Sequence, residues 1–434
     1  MNIVTLTIPQ EVVQSNVPSW LERLGAALTT MGAIVFVLGS TGAFETVPIL
    51  YSVISLIVSG VGILLLTVPA GLRVTSSSMN TNVMRSPVRR RGLAGWSLGV
   101  ALTLFYILLY WFPETLVHVV ASLEPLSRLI RNSPADRWFL YGTLYTLAVL
   151  VFGVRMLVRY RHSRYHLLRT VSLITAQLVF AYLLPSFLAA MGEPELYVHY
   201  FWPLKYDYIF PSSLSSMWSS GEGLTQFFAV WTVAMTVVIT PILTYFYGKR
   251  WYCSWICGCG ALAETVGDPF RQNADTSLRA WKIERWMVHG VLLFITVVTV
   301  MLWLDHVYDN VVFGSLAQRL KDIYGFVIGA MFSGVIGVGF YPIFGSRVWC
   351  RFGCPMAAYL GILQKYMSRF RITTNGGQCI SCGNCSTYCE MGIDVRAYAQ
   401  RGENIVRASC VGCGVCASVC PRGVLRLESG AKQR

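Results

Sequence analysis

Apolar residues along this chain gather into runs near twenty residues long, the length that crosses the hydrocarbon core of a bilayer as an α-helix. They fall at roughly 24–44, 47–71, 93–112, 138–158, 170–190, 224–247, 287–304 and 323–344. This pattern predicts about eight transmembrane helices. The first two are joined by a very short turn and form a hairpin. The first run lacks a basic leader and a small-residue cleavage site, so it reads as a retained span. After residue 371 the long apolar runs stop and a cysteine-rich segment follows.

The polar stretches between the runs alternate in charge. Residues 73–91 hold Arg73, Arg85, Arg89, Arg90 and Arg91 and no acid; residues 159–169 hold Arg159, Arg161, Arg164 and Arg169 and no acid. The loop 249–286 and the segment from Arg347 to Arg371 are basic as well. The intervening loops carry Glu114, Glu124 and Asp136, then Glu193, Glu195 and Asp207, then Asp305 and Asp309. Basic loops stay on the cytoplasmic side, so both termini and the cysteine-rich segment are expected there, with the chain multi-pass in a bacterial inner membrane. Composition agrees: 54% of the 434 residues are hydrophobic and only 13% charged, against about 25% charged in a soluble domain. The net charge of +14 is accounted for by these loops. Lipid, not nucleic acid, is the expected contact. His162 and His166 fall in the second basic loop and are expected to be solvated.

Chemistry enters with the cysteines, all 13 of which lie after residue 252. Cys379-x2-Cys382-x2-Cys385-x3-Cys389 is followed by Cys410-x2-Cys413-x2-Cys416-x3-Cys420-Pro421. These are ligand runs of a ferredoxin with two [4Fe-4S] clusters. Three thiolates two residues apart wrap one face of a cubane, and the fourth, too far along, ligates the other cluster. Cluster A then takes Cys379, Cys382, Cys385 and Cys420. Cluster B takes Cys410, Cys413, Cys416 and Cys389. Glu390 stands where proline usually follows the fourth cysteine; that proline only shapes the turn, so the assignment is unchanged. Zinc prefers Cys-x2-Cys pairs with longer gaps. Clusters are kept in reducing compartments, which again points to the cytoplasm.

Two further stretches resemble each other. Gly248-Lys-Arg-Trp-Tyr-Cys253-Ser-Trp-Ile-Cys257-Gly-Cys259 and Gly345-Ser-Arg-Val-Trp-Cys350-Arg-Phe-Gly-Cys354-Pro each follow a run with Pro-Ile near its end. They read as two copies of one unit, an internal repeat whose Cys-x3-Cys pairs converge at the membrane surface. Pro355 places Cys354 at a helix N-terminus, where the dipole favours thiolate. Arg250 and Arg347 are expected to add positive charge. Cys253, Cys257, Cys350 and Cys354 then form a third metal centre, two redox dithiols or two inert pairs, with Cys259 as an extra thiol. On the outer face His118, His199 and His306, with Asp305 beside His306, offer hydrogen-bonding bases for a quinol site, ligands for a metal or haem, or simple polar anchors. The outer loop 191–223, rich in Tyr, Trp, Phe and Pro, reads as an interfacial aromatic belt or as a docking face or quinone-binding lip.

Over about residues 224–425 these motifs together resemble the membrane polyferredoxins of the NosR/NapH type. The resemblance implies a protein that takes electrons from quinol or a cytoplasmic donor and feeds a periplasmic acceptor. It carries cluster roles to the eight C-terminal cysteines and the paired-cysteine motif to Cys253, Cys257, Cys350 and Cys354. Gly258 departs from the proline of that motif. The expected architecture is an all-α polytopic membrane protein with a small C-terminal α+β ferredoxin-like domain. Its parts are an N-terminal membrane region (1–223), a membrane core with the two Cys-x3-Cys units (224–371) and the 2[4Fe-4S] domain (372–434). The expected function is quinol-linked electron transfer, as the quinol-dehydrogenase subunit of an oxidoreductase system, to a redox partner protein or complex. Two other readings stay open: a maturation factor that reduces or delivers metal such as copper, and an iron–sulfur redox sensor.

Overall fold

A computed structural model describes residues 19–40, 54–65, 93–309 and 311–429. The basic run 73–91 and the turn of the expected N-terminal hairpin lie outside them. The described chain is mostly helical: α1 (Ser19–Ser40), α2 (Leu93–Trp111), α3 (Arg137–Arg159), α4 (Arg164–Ala190), α5 (Gly223–Tyr247), α6 (Gly258–Thr265), α7 (Leu278–Val307) and α8 (Pro355–Tyr366) carry the architecture. Among the described residues four helices, α3, α4, α5 and α7, are long and apolar enough to cross a membrane. A fifth span arises if α2 and the helical segment Pro113–Ser122, bent at 109°, count as one. Pro113 opens that segment, and a proline cannot continue the preceding hydrogen-bond ladder. Ile54–Leu65 is a shorter apolar helix.

Element bounds differ from the hydropathy reading for physical reasons. α7 starts well before residue 287: Ser277 accepts from Ala280 N at 3.2 Å as its N-cap, and the first turns are charged because they lie outside the apolar zone. The run 323–344 is not one regular helix. Ser315–Tyr324 passes into the wide-turned π-helix Gly325–Ile336, and a separate turn, Tyr341–Phe344, follows. Its glycines weaken the helix and allow close packing: a Cβ on Gly334 would lie 2.8 Å from the Tyr106 ring. Within α4 and α5, π-helical stretches (Ala176–Leu183, Met235–Ile239) directly precede turns carrying Pro185 and Pro241. A widened turn accommodates the missing N–H and the ring.

The C-terminal segment opens with β1 (Phe370–Thr374), paired antiparallel with β2 (Leu425–Ser429) in the register Phe370↔Ser429 to Thr374↔Leu425. No linker separates it from the membrane part. One apolar core runs from Phe201 and Met235 through Trp251, Trp349 and Leu360 to Ile372, Val411 and Leu425, and it takes in every cysteine except Cys382. From the aromatic loop after α4, Phe201 and Leu204 join this core, while Trp218 stays exposed. Leu196, His199, Phe201, Tyr208 and Phe210 are buried, and the Phe201 ring stacks on Trp251 at 6.4 Å.

Candidate metal centre

The two long cysteine runs share one backbone course. Ser381 (φ 58°) matches Gly412 (φ 65°). Gly383 (φ 81°, ψ −6°) and Gly414 (φ 79°, ψ −1°) then cap the one-turn helices Asn384–Thr387 and Val415–Ser418. Alternating left- and right-handed residues turns successive N–H groups to one side, a concave anion nest. Cys385 lies within electrostatic reach of Cys420 and Cys382. Cys416 lies within reach of Cys413, Cys410, Cys389 and Cys385. Burial pushes the Cys385 thiol up to about 11 and the Cys389 thiol up to about 12, so only a bound cation makes these thiolates at neutral pH. Sulfur donors facing N–H nests fit an iron–sulfur cluster.

The surroundings of the two runs differ. Carbonyls of residues 407–413 are taken up by side chains of the membrane part. Gln364 Nε2 donates to Arg407 O at 3.1 Å and Cys410 O at 2.8 Å. Lys249 Nζ donates to Ala408 O at 3.2 Å, Ser254 Oγ to Val411 O at 2.8 Å and Tyr165 OH to Gly412 O at 3.1 Å. Arg169 Nη1 donates to Cys413 O. With its carbonyls held outward, the loop presents its N–H groups inward. The first run has no such collar; Cys382 is exposed, on a groove shared with Cys379 and Cys420. His166, expected in solvent, is fully buried, with Nε2 2.5 Å from Ser418 Oγ.

The Cys-x3-Cys stretches also run in parallel. Gly248 (φ 67°) and Gly345 (φ 96°) open them. Cys253 and Cys350 ride on single helical turns, and Cys257 and Cys354 are the extended N-cap residues of α6 and α8. Cys354 lies within electrostatic reach of Cys350, Cys257 and Cys253, so the two stretches meet. Cys259 lies against Cys257. Among the described residues Glu264, Glu390 and Cys413 are the one group of three whose ligand atoms all lie within 4.8 Å of one another. A tetrahedral zinc, with sulfurs about 2.3 Å from the ion, would draw four thiols closer than that.

Two electrostatic expectations for this quartet change. The helix dipole does not win at Cys354: burial holds its thiol well above the usual range, and pushes Cys253 up to about 12. Arg250 is not at the thiols. Its Nε donates to Tyr247 O at 3.1 Å, and its guanidinium stacks on Phe370 at 4.1 Å. Arg347 is there, 3.7 Å from Cys350 Sγ and donating to Cys253 O at 3.1 Å.

A buried ionic network, not anticipated from the sequence, joins the parts. Glu264 accepts from Arg347 at 2.8 Å, from Arg169 at 2.9 Å and from Arg271. Glu390 pairs with Arg271 at 2.8 Å and Arg347 at 3.1 Å. Asp268 pairs with Arg155 and Arg271, each at 2.9 Å, and with Arg159. Arg155, Arg159, Arg169, Arg271 and Arg347 thus gather around the buried carboxylates Glu264, Asp268 and Glu390. Two signals were present in the chain: Glu390 in the place of proline, and Glu264 as an acid on an otherwise apolar helix of a basic loop.

The four expected outer residues fall in different settings. His118 is exposed on the segment Val117–Ser122. Asp305 accepts from Phe313 N at 2.7 Å, and His306 packs edge-on against Trp303. His199 is buried against Tyr200, both ring nitrogens lack a partner, and its carbonyl accepts from Tyr252 OH at 3.0 Å, next to Cys253.

Comparison with known proteins places these elements. The 4Fe-4S binding domain family matches residues 230–276 and again 325–373. The 4Fe-4S dicluster domain family matches residues 364–429. The chain is 26% identical over 177 residues to "Putative electron transport protein YccM" of Escherichia coli (strain K12), covering 38% of this chain and 48% of that protein. It is 30% identical over 176 residues to the methylamine utilization ferredoxin-type protein MauN of Paracoccus denitrificans, covering 38% of this chain and 58% of that one. The regulatory protein NosR of Stutzerimonas stutzeri is 26% identical over 166 residues, 36% of this chain and 22% of NosR. The chain thus spans between 22% and 58% of the length of these curated relatives. No solved structure matches. The chain thus carries 4Fe-4S ferredoxin domains and is similar to YccM, MauN and NosR.

Proposed function

We propose that the chain conducts single electrons from a donor at its exposed cysteine run to a third iron–sulfur centre at the membrane surface, and on to quinone or a partner reductase. In this reading Cys379, Cys382, Cys385 and Cys420 hold one cluster, and Cys410, Cys413, Cys416 and Cys389 the next. Cys253, Cys257, Cys350 and Cys354 hold the third, between two copies of one membrane unit in an inner-membrane protein of about eight spans. Each cluster supplies one-electron transfer when bound. The protein supplies order and position. Cys382 at the surface gives a donor access, and the collar on residues 407–413 seals the second site against the membrane part.

The observation that carries this reading is the bond from Ser254 Oγ to Val411 O at 2.8 Å. Ser254 follows Cys253, and Val411 follows Cys410, so one hydrogen bond links the two ligand loops. Arg347 adds a second bridge between Cys350 Sγ and Cys253 O. The unpartnered ring of His199, tied through Tyr252 to Cys253, supports a quinol contact on this side of the expected outer group. The four thiols of the quartet are 4%, 5%, 6% and 5% exposed. This burial weighs against dithiol exchange and copper delivery.

Iron and sulfide analysis of the purified chain tests the reading. About twelve irons are expected, falling by about four in the double variant Cys253→Ser, Cys350→Ser, as cubane stoichiometry requires. About eight irons in both proteins would remove the third centre. Absence of any cluster EPR signal on adding a quinol analogue would remove the quinone link.

A further inference from the structure

A cavity of about 280 Å³ lies where the first turns of α7 and one face of α8 meet the ferredoxin loop Arg407–Ser409. Its wall carries Lys249, Arg285, Arg351, Lys365 and Arg407, and a single carboxylate, Glu284. That carboxylate is already taken by Arg351 at 2.7 Å. Arg351 is only 3% exposed. Its Nη1 donates to Asp275 O at 2.7 Å, and its Nη2 is buried without a partner. The guanidiniums of Arg285 and Arg407 both lie over the Trp281 ring, at 5.3 Å and 4.9 Å. Cations gathered in a cavity around an unsatisfied buried donor make a site that favours an anion.

Position narrows the anion. The cavity opens beside the first turns of a candidate span, where Trp286 is 76% exposed and Tyr366 63% exposed. Exposed aromatics with arginine and lysine at a span end mark the headgroup layer. A phosphate there meets the cations while its glycerol and chains stay in the bilayer. We propose that this cavity holds the phosphate group of an acidic membrane lipid, bound between the membrane part and the ferredoxin segment.

Cys350 lines the same cavity. A bound anion therefore sits beside that thiol and disfavours adding an electron to whatever the thiol ligates. This consequence rests on the cluster reading of the cysteine quartet; the binding itself does not.

The test uses the full chain in neutral detergent, with phosphatidylglycerol, phosphatidylcholine or inorganic phosphate added. Thermal unfolding and native mass spectrometry report binding. Phosphatidylglycerol is expected to stabilise the chain and stay bound, while phosphatidylcholine does neither. The triple variant Arg285→Gln, Lys365→Gln, Arg407→Gln, which spares the buried Lys249 and Arg351, should bind on the order of 100-fold more weakly. Arg319→Gln, an exposed arginine away from the cavity, should bind as wild type. Inorganic phosphate giving the full effect alone would support the anion site but name a soluble phosphate as its ligand. Equal effects of the two lipids, or an undiminished response in the triple variant, would overturn the proposal. Redox titration by EPR then reads the consequence separately: phosphatidylglycerol should move one cluster to more negative potential. If lipid binds and no potential moves, the cluster reading of Cys350 fails while the lipid site stands.

Discussion

Arg347 and Glu390 form a buried ion pair at 3.1 Å. Arg347 belongs to the second Cys-x3-Cys stretch and Glu390 to the first ferredoxin run, so this pair latches the cluster-bearing segment to the membrane part. Arg271 shares Glu390 at 2.8 Å. Replacing Glu390 by proline, the residue usual at that place, leaves two buried guanidiniums short of an anion. Glu390→Pro should cost about 3–5 kcal/mol, seen as a lower unfolding midpoint and as new protease cleavage between α8 and β1. Unchanged stability and cleavage would mean that the latch contributes nothing.

Glu264 governs the response to acid. Burial alone would raise its carboxyl, but Arg169, Arg271 and Arg347 outweigh burial and hold it well below the usual carboxylate range. Glu390 is pushed the other way by burial, so of these two carboxyls Glu264 is the one that carries acid sensitivity. A depressed carboxyl adds stability that is present above its unfolded pKa of about 4.3 and lost as pH falls toward its folded value. Wild type should therefore lose stability on acidification below that point. Glu264→Gln, less stable at neutral pH, should show a distinctly shallower fall at matched cluster content. Parallel slopes for the two proteins would rule this out.

Two glycines separate the packed cluster loop from the free one. Gly383 and Gly414 both have φ near +80°, but a Cβ on Gly383 meets nothing within 4 Å, whereas one on Gly414 lies 2.9 Å from Tyr165 and 3.1 Å from Leu427. Gly383→Ala should cost only the left-handed strain, about 1–2 kcal/mol, and keep full iron. Gly414→Ala adds the clash and should lose roughly one cubane of iron. The same iron content in both variants would contradict the packing described.

Exposure orders the clusters by lability. Cys382 is the exposed cysteine of the thirteen, and Cys410 and Cys416 are buried. Titration with a water-soluble oxidant such as ferricyanide should bleach the cluster held by Cys382 first, and the rest only after a lag. Loss of all iron in a single phase would show that the collar gives no protection.

Much of this was legible in the chain and some was not, for physical reasons. The cysteine runs state their chemistry because metal ligation tolerates few spacings, and Gly383 and Gly414 mark the turns those spacings need. The bulk of the apolar runs announces helices because burial in lipid is an average over many residues. The collar was hidden: Ser254, Gln364 and Tyr165 are ordinary residues whose importance comes only from what the fold sets opposite them. Arg159 and Arg169 looked like loop charges that set topology, yet both are buried in the network. His166 misled for the same reason, since a basic loop that packs under a second segment is no longer a solvent face. At Cys354 the cost of desolvating a buried sulfur exceeds what one helix end returns.

The collar around residues 407–413 also imposes a sequence of events in biogenesis. Once Ser254, Gln364, Tyr165 and Arg169 have closed on that loop, its sulfurs face the interior and no carrier protein can hand iron and sulfide to them. Loading must come before docking. A chain allowed to fold in iron-starved cells and supplied with iron afterwards is expected to fill the position at Cys382 alone, as a dead-end species that only refolding can repair.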